Sequence, residues 1–323
     1  MQTNKQLLST IENYLAQVEF TGEPQQLYAP ISYSLAGGGK RLRPMLVMLS
    51  CGAFSEDTQR ALPVAAAVEV FHNFTLLHDD IMDNADTRRG QPSVYAKWGQ
   101  NAAILSGDAM MICAYRLLEE VPEQYLPRVL KTFNEMALEV CEGQQYDMDF
   151  EEKKKVSVVE YMHMIELKTS VLLAGSAVLG AIIGGAPETE VRKLRRFAVE
   201  LGLAFQLQDD LLDSYGDERL GKPLGGDILE GKKTYLMITA MSHASEEDRE
   251  ILRKAHKNPA LSDAEKIATV KEVYARYDVR RLTEQQISIR FERALAVLAS
   301  LEVEPARTEP LAEFAKGLMG RMM

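Results

Sequence analysis

The stretch "VRKLRRFAVELGLAFQLQDDLLDSYGD", Val191–Asp217, carries apolar residues at three- and four-residue spacing and closes on a dense acidic group. That period is the signature of an α-helix with one buried face. A second long run, "SVVEYMHMIELKTSVLLAGSAVLGAIIGGA" (Ser157–Ala186), reads the same way, and "GGAPETE" between them is a stop, cap and start signal. Across the chain Ala, Leu, Met and Glu are abundant and no segment alternates convincingly as a strand. Loops are short and marked by Gly or Pro: "AGGGKRLRP", "DTRRGQPS", "GDERLGKPLGGD" and "HKNPALSDAEK". The expectation is one all-α domain over residues 1–323, with roughly ten to fourteen helices and no repeat period.

Composition narrows the function. The 323 residues are 46% hydrophobic and 26% charged, an ordinary globular balance. A net charge of −10 argues against general nucleic-acid affinity, so any anionic ligand must be held by local basic clusters. No run of about 18 apolar residues is evident, so no membrane span is expected. The first twenty residues lack the apolar core of a signal peptide. Three widely spaced cysteines, Cys51, Cys113 and Cys141, predict reduced, mostly buried thiols and a cytoplasmic location.

The acidic group of the opening stretch has an echo. "DDIMD" (Asp79, Asp80, Asp83) and "DDLLD" (Asp209, Asp210, Asp213) each stand near the end of an apolar helix and give way to loops rich in Gly and Lys or Arg. With 100° per residue, Asp83, Asp79, Thr75 and His72 fall within about 20–40° of one another, and Asp80 flanks them about 100° away. Asp213, Asp209, Gln206 and Gly202 form the equivalent stripe, with Phe205 beside it. Like charges at i,i+4 repel, and carboxylates at a helix C-terminus oppose its dipole. One such cluster could be a solvated helix end. Two, each aligned with polar residues on the same face, point to a bound cation. All-oxygen ligands favour Mg²⁺, with Mn²⁺ as the alternative. No EF-hand spacing occurs, and His72 and His78 form no zinc pair.

Basic residues gather in four places: Lys40, Arg41 and Arg43 after a glycine run; Arg88 and Arg89; Lys168 beside Thr169 inside an apolar helix; and Lys222, Lys232 and Lys233. "GGGKRLR" is not a Walker loop, lacking its spacing and its Ser or Thr. Carboxylates that recruit Mg²⁺, next to basic loops, indicate diphosphate chemistry.

In order, "GGKRLRP", "FHNFTLLHDDIMDNADTRRG", "LSGD" (Gly107, Asp108), "GQQYD" (Gly143, Gln144, Asp147), "YMHMIELKTS", "GLAFQLQDDLLD" and "GKPLGGDILEGKKT" resemble the trans-isoprenyl diphosphate synthases of the polyprenyl synthetase family. The resemblance spans nearly the whole chain. It implies an all-α barrel of antiparallel helices around a deep central cavity, usually a homodimer. It implies Asp79, Asp83 and Asp209 as direct ligands of three Mg²⁺ ions, with Asp80, Asp210, Asp213 and Asp227 accessory. Arg88, Lys168, Lys222 and Lys232 resemble the grip on an allylic diphosphate, and Lys40, Arg43, His72 and Arg89 the isopentenyl diphosphate site. Thr169, Gln206 and the Lys168 carbonyl are the implied partners of an allylic carbocation. The implied reaction is ionisation, condensation and elimination, with the proton lost to the released diphosphate.

Product length follows from the same resemblance. Family members floor the cavity five positions before the first Asp of DDxxD, here Phe74, with small Thr75 next. Helical geometry puts Phe74 about 140° from Asp79 and about 7 Å along the axis. Spacing alone would have selected Thr75. One aromatic without a second implies a twenty-carbon product in preference to a fifteen-carbon one. The two extra residues many bacterial short-chain members carry inside the first motif are missing here. A class I terpene cyclase would not need Lys40, Arg43 and His72. A noncatalytic subunit would have lost an aspartate motif, and a metal phosphohydrolase would need ligands with no counterpart here. His78 receives no role.

Overall fold

The computed structural model describes residues 3–216 and 224–320. Among them are sixteen α-helices and a single two-residue hairpin. The helices are α1 (Asn4–Gln17), α2 (Gln25–Ala36), α3 (Leu42–Gly52), α4 (Leu62–Met82), α5 (Val94–Trp98), α6 (Gln100–Leu118), α7 (Leu126–Glu152), α8 (Val158–Ile165), α9 (Val171–Gly184), α10 (Glu188–Tyr215), α11 (Gly226–Glu230), α12 (Tyr235–His243), α13 (Glu246–Lys254), α14 (Asp263–Arg276), α15 (Val279–Ala299) and α16 (Pro305–Met319). The excess over the expected number comes from two five-residue helices and from a π-helical turn, Glu166–Ser170, that divides α8 from α9.

The chain forms two compact units: Met1–Asn134 with Gly175–Arg195 and Leu301–Phe314, and Glu135–Ala174 with Arg196–Ser300 and Ala315–Met323. In the first, α4 is buried all round from Val64 to Phe71, while His72, Thr75, His78 and Asp79 are half-buried on one side of its later turns. Pro63 in its first turn suits the start, where an amide hydrogen has no helical partner. In the second unit, Tyr161, Met164, Leu203, Leu207, Leu211, Leu236, Tyr274 and Ile287 belong to one apolar core.

Three expectations need correction. Val158–Gly184 is in fact long and apolar enough to cross a membrane, but 94% of its most apolar window is buried inside the protein, as a core helix requires. Of the cysteines, all unpaired, only Cys51 is buried; Cys141 is exposed. "DTRRGQPS", read as a loop, contains the hairpin, with Thr87 opposite Pro92 and Arg88 opposite Gln91. Two residues a side are too few to show alternation in sequence.

Candidate active site

Each unit carries one aspartate cluster, and local backbone chemistry sets the first. Helix α4 ends in a Schellman motif: Ala85 N donates to Asp80 O at 2.9 Å and Asn84 N to Ile81 O at 3.3 Å. Asn84 takes the left-handed conformation this cap needs, φ 50°. The chain then turns back through Arg89 and Gly90, both at positive φ, as a two-residue type I′ hairpin turn demands. These two devices separate the charges of "HDDIMDNADTRRG". Arg88 donates to Oδ1 of buried Asp80 through Nε at 2.8 Å and Nη2 at 2.5 Å. Arg89 donates instead to the Gly38 carbonyl. Asp79 is half-buried and Asp83 exposed. Burial pushes the Asp80 carboxyl up, against the pull of Arg88.

The glycine-rich loop is held from behind. Arg41, itself left-handed at φ 47°, donates to Glu69 Oε1 at 2.7 Å and to Leu35 O at 2.8 Å. Asn73 Nδ2 also donates to Glu69 Oε1, at 3.1 Å. Gly38 has φ 72°, and a Cβ on Gly39 would lie 3.0 Å from the Arg89 guanidinium carbon. Lys40 is exposed. Arg43 Nη1 lies 3.0 Å from His72 Nε2. A guanidinium can only donate, so His72 is neutral there with its proton on Nδ1. Burial first, and then the surrounding arginines, hold its pKa well below the ordinary value. Arg43 Nε is buried and has no hydrogen-bond partner among the described residues.

In the second unit a hydrogen-bonded chain runs Thr169–Gln206–Asp210–Tyr161. Thr169 Oγ1 donates to Gln206 Oε1 at 2.9 Å, Gln206 Nε2 donates to Asp210 Oδ1 at 3.0 Å, and the Tyr161 hydroxyl donates to Asp210 Oδ2. Burial raises the pKa of Asp210 to about 6 and of Asp227 to about 7, with Lys232 pulling both down. Asp213 accepts from the Asp227 amide at 3.1 Å, while Asp209 is exposed. Lys168 Nζ lies 2.6 Å from Asp147 Oδ2, and Lys232 Nζ lies 4.0 Å from the same atom. Lys168 and Thr169 sit in the π-helical turn, where Gly143 of α7 comes so close that a Cβ would lie 2.6 Å from Lys168 Cα. Lys233 turns elsewhere, donating to the Phe150 carbonyl at 2.6 Å. Lys222 lies outside the described residues.

The polyprenyl synthetase family matches residues 24–276 of this chain, which include both aspartate clusters and all four basic groups. The chain belongs to the polyprenyl synthetase family. It is 45% identical over 221 residues to the geranylgeranyl diphosphate synthase of Methanosarcina mazei, covering 67% of this chain and 68% of that one. To the short chain isoprenyl diphosphate synthase of Methanothermobacter thermautotrophicus it is 38% identical over 300 residues, 92% and 91% of the two chains. A crystal structure of a geranylgeranyl pyrophosphate synthase superposes with a TM-score of 0.95 at 43% identity over 99% of both chains. The fold is thus the all-α one of the polyprenyl synthetases.

Among the described residues no three His, Cys, Asp or Glu side chains converge as a metal cage. Asp80 and Asp210 accept from protein donors, and Asp79 and Asp83 stand one helical turn apart on the less buried side of α4. This donor set fits Mg²⁺, which binds through one or two carboxylates and completes its shell with water and substrate phosphates. Sequence reasoning assigned no part to Glu69 or Tyr161, and named Asp147 only within a motif. A charged residue inside the apolar run of α4 was the available signal for Glu69. Nothing in sequence pairs Tyr161 with Asp210.

Proposed function

We propose that this polyprenyl synthetase condenses isopentenyl diphosphate with an allylic diphosphate, making a short-chain all-trans prenyl diphosphate. Geranylgeranyl diphosphate is favoured over farnesyl. One observation carries the reading: each unit combines an aspartate cluster that has a less buried carboxylate with a basic side chain fastened to an acidic partner, Arg88 to Asp80 and Lys168 to Asp147. Such paired charge suits an anion that brings its own metal.

Asp79, Asp83 and Asp209 would hold the Mg²⁺ ions, three per site, with Asp80, Asp210 and Asp213 supporting. When bound, Mg²⁺ supplies charge stabilisation to the departing diphosphate. Arg88, Lys168, Lys222 and Lys232 grip that diphosphate; for Lys168 and Lys232, shared Asp147 keeps the two ammonium groups near one spot. Lys40, Arg43, His72 and Arg89 bind isopentenyl diphosphate through charge-assisted hydrogen bonds. Neutral His72 orients Arg43 by accepting from it. The Gln206 carbonyl oxygen, turned to Thr169 because Asp210 takes its amide, would with Thr169 offer oxygen dipoles to a developing allylic cation. Phe74 floors the chain cavity, with Thr75 beside it. The two units act as one synthase domain, a reading supported by a family match spanning both.

The enzyme works as a homodimer in this proposal. Ile104, Leu105 and Ile112 of α6 are large apolar side chains at 37%, 59% and 61% exposure, which a partner copy would cover. The unpaired cysteines suit a reducing cytoplasm.

The deciding assay combines purified protein, Mg²⁺, isopentenyl diphosphate and each of dimethylallyl, geranyl and farnesyl diphosphate, with products sized by chromatography. Chain elongation ending at twenty carbons is expected. Diphosphate release without elongation would overturn the synthase reading.

A further inference from the structure

His78 stands directly before Asp79, has no place in the proposed grip on either diphosphate, and has its Nε2 3.9 Å from Asp108 Oδ1. Its ring is nonetheless held on two sides. On one side it meets Phe74, one turn earlier on the same helix, with ring centroids 4.8 Å apart at 69°. That edge-to-face arrangement is the favoured geometry of two aromatic rings. On the other side its Nε2 lies 3.2 Å from the Ile104 carbonyl. A carbonyl only accepts, so Nε2 carries the proton.

Helix α6 leaves room for the ring only because residue 107 is glycine. A Cβ on Gly107 would lie 2.6 Å from His78 Cδ2 and closer still to Nε2. Gly107 is helical and has no positive φ in its defence, so its missing side chain answers to packing and not to backbone conformation. Behind Phe74 the aromatic contact continues to Phe71, 5.4 Å away, and from Phe71 to Phe133, 5.3 Å away. Phe74 is thus clasped between Phe71 and His78, and only His78 is tied to a second helix by a hydrogen bond.

We propose that His78 is a positioning residue for product length: seated on Gly107 and anchored to the Ile104 carbonyl, it backs the Phe74 ring and keeps it from swinging aside under a growing prenyl chain. The inference rests on the proposed reading of Phe74 as the cavity floor. Without the imidazole, the Phe74 ring gains rotamers in which the floor opens, and chains pass to the next length before release.

The test uses the full-length protein with isopentenyl and farnesyl diphosphates, comparing the wild type with Phe74→Ala, His78→Gln, Gly107→Ala and the double variant His78→Gln/Gly107→Ala. Glutamine keeps a donor for the Ile104 carbonyl and removes only the ring, so folding is preserved. His78→Gln should raise the ratio of longer to twenty-carbon product about threefold to tenfold, the worth of one aromatic pair. KM for both diphosphates should stay within about twofold, since no binding group is lost. Gly107→Ala should shift the ratio the same way, and the double variant should go no further than either single one, because both remove one contact. An unchanged ratio in His78→Gln, with Phe74→Ala lengthening the product, overturns the inference and leaves the floor reading intact. An unchanged ratio in Phe74→Ala removes the floor reading and the inference together.

Discussion

Arg88 holds Asp80 with two donors on a single carboxylate oxygen, Nε at 2.8 Å and Nη2 at 2.5 Å, and Asp80 is only 2% exposed. The buried carboxylate therefore aims the guanidinium through its Oδ1. Asp80→Asn keeps the shape and removes the charge. It should destabilise the protein by about 1–2 kcal/mol, discounted because Arg88 is partly exposed. Steady-state kinetics should show a higher KM for the allylic diphosphate while KM for isopentenyl diphosphate is preserved. Equal effects on both would show that Arg88 is not aimed at one diphosphate.

Glu69 and Arg41 form a more deeply buried pair, 2.7 Å apart with side chains 2% and 7% exposed. Removing one partner leaves the other charge uncompensated, which costs about 3–5 kcal/mol. Glu69→Ala should lose that much in urea unfolding and should release Arg41 from its left-handed conformation, raising KM for isopentenyl diphosphate. A loss below about 1 kcal/mol would mean the pair does not hold the loop.

His72 makes stability depend on pH with a definite sign. Its folded pKa lies well below the ordinary value, mainly through burial. Below about pH 6.5 the unfolded chain takes up a proton that the folded one refuses, so stability falls as pH falls, by at most about 1.4 kcal/mol per unit. The loss ends once pH drops through the folded pKa. Denaturation at pH 7, 6 and 5 should show a shallower slope in His72→Asn than in the wild type, and parallel slopes would contradict it.

Gly143 lets α7 pass against the π-helical turn, where a Cβ would meet Leu167 C and Lys168 Cα, each at 2.6 Å. Backbone cannot yield as a flexible side chain can. Gly143→Ala should cost about 1–3 kcal/mol despite alanine's better helix propensity. Its kcat should fall because Lys168 and Thr169 move, and unchanged kcat with unchanged Tm would remove the constraint.

Metal removal should separate function from folding. Chelation should reduce turnover more than about a hundredfold, as loss of a transition-state charge partner does. Thermal unfolding should barely move, because no preformed cage of three ligands exists among the described residues. Asp79→Ala should behave likewise, and a large drop in Tm for either would place the metal in the fold.

The helical period of Val191–Tyr215 and the spacing of the two DDxxD groups were sufficient for the all-α class and for diphosphate chemistry, because both are local properties of one helix. The order of the seven motifs added the family. In the structure Ser157 and Ser262 each form a capping box with a Glu three residues on. The hairpin at Thr87–Pro92 was not legible in the sequence, being too short to carry a period, and neither was the π-helical turn, whose residues look like ordinary helix.

What only the tertiary structure decided is which charges pair with one another. Sequence placed Asp79, Asp80 and Asp83 together but could not say that Arg88 occupies Asp80, that Glu69 anchors Arg41, or that Asp147 gathers Lys168 and Lys232. Nor could it seat His78 against Gly107, a contact between residues 29 positions apart. The reason is physical. Helical periodicity is written in residues three and four apart, whereas burial and pairing depend on which helices pack, and that is settled only when the chain closes on itself.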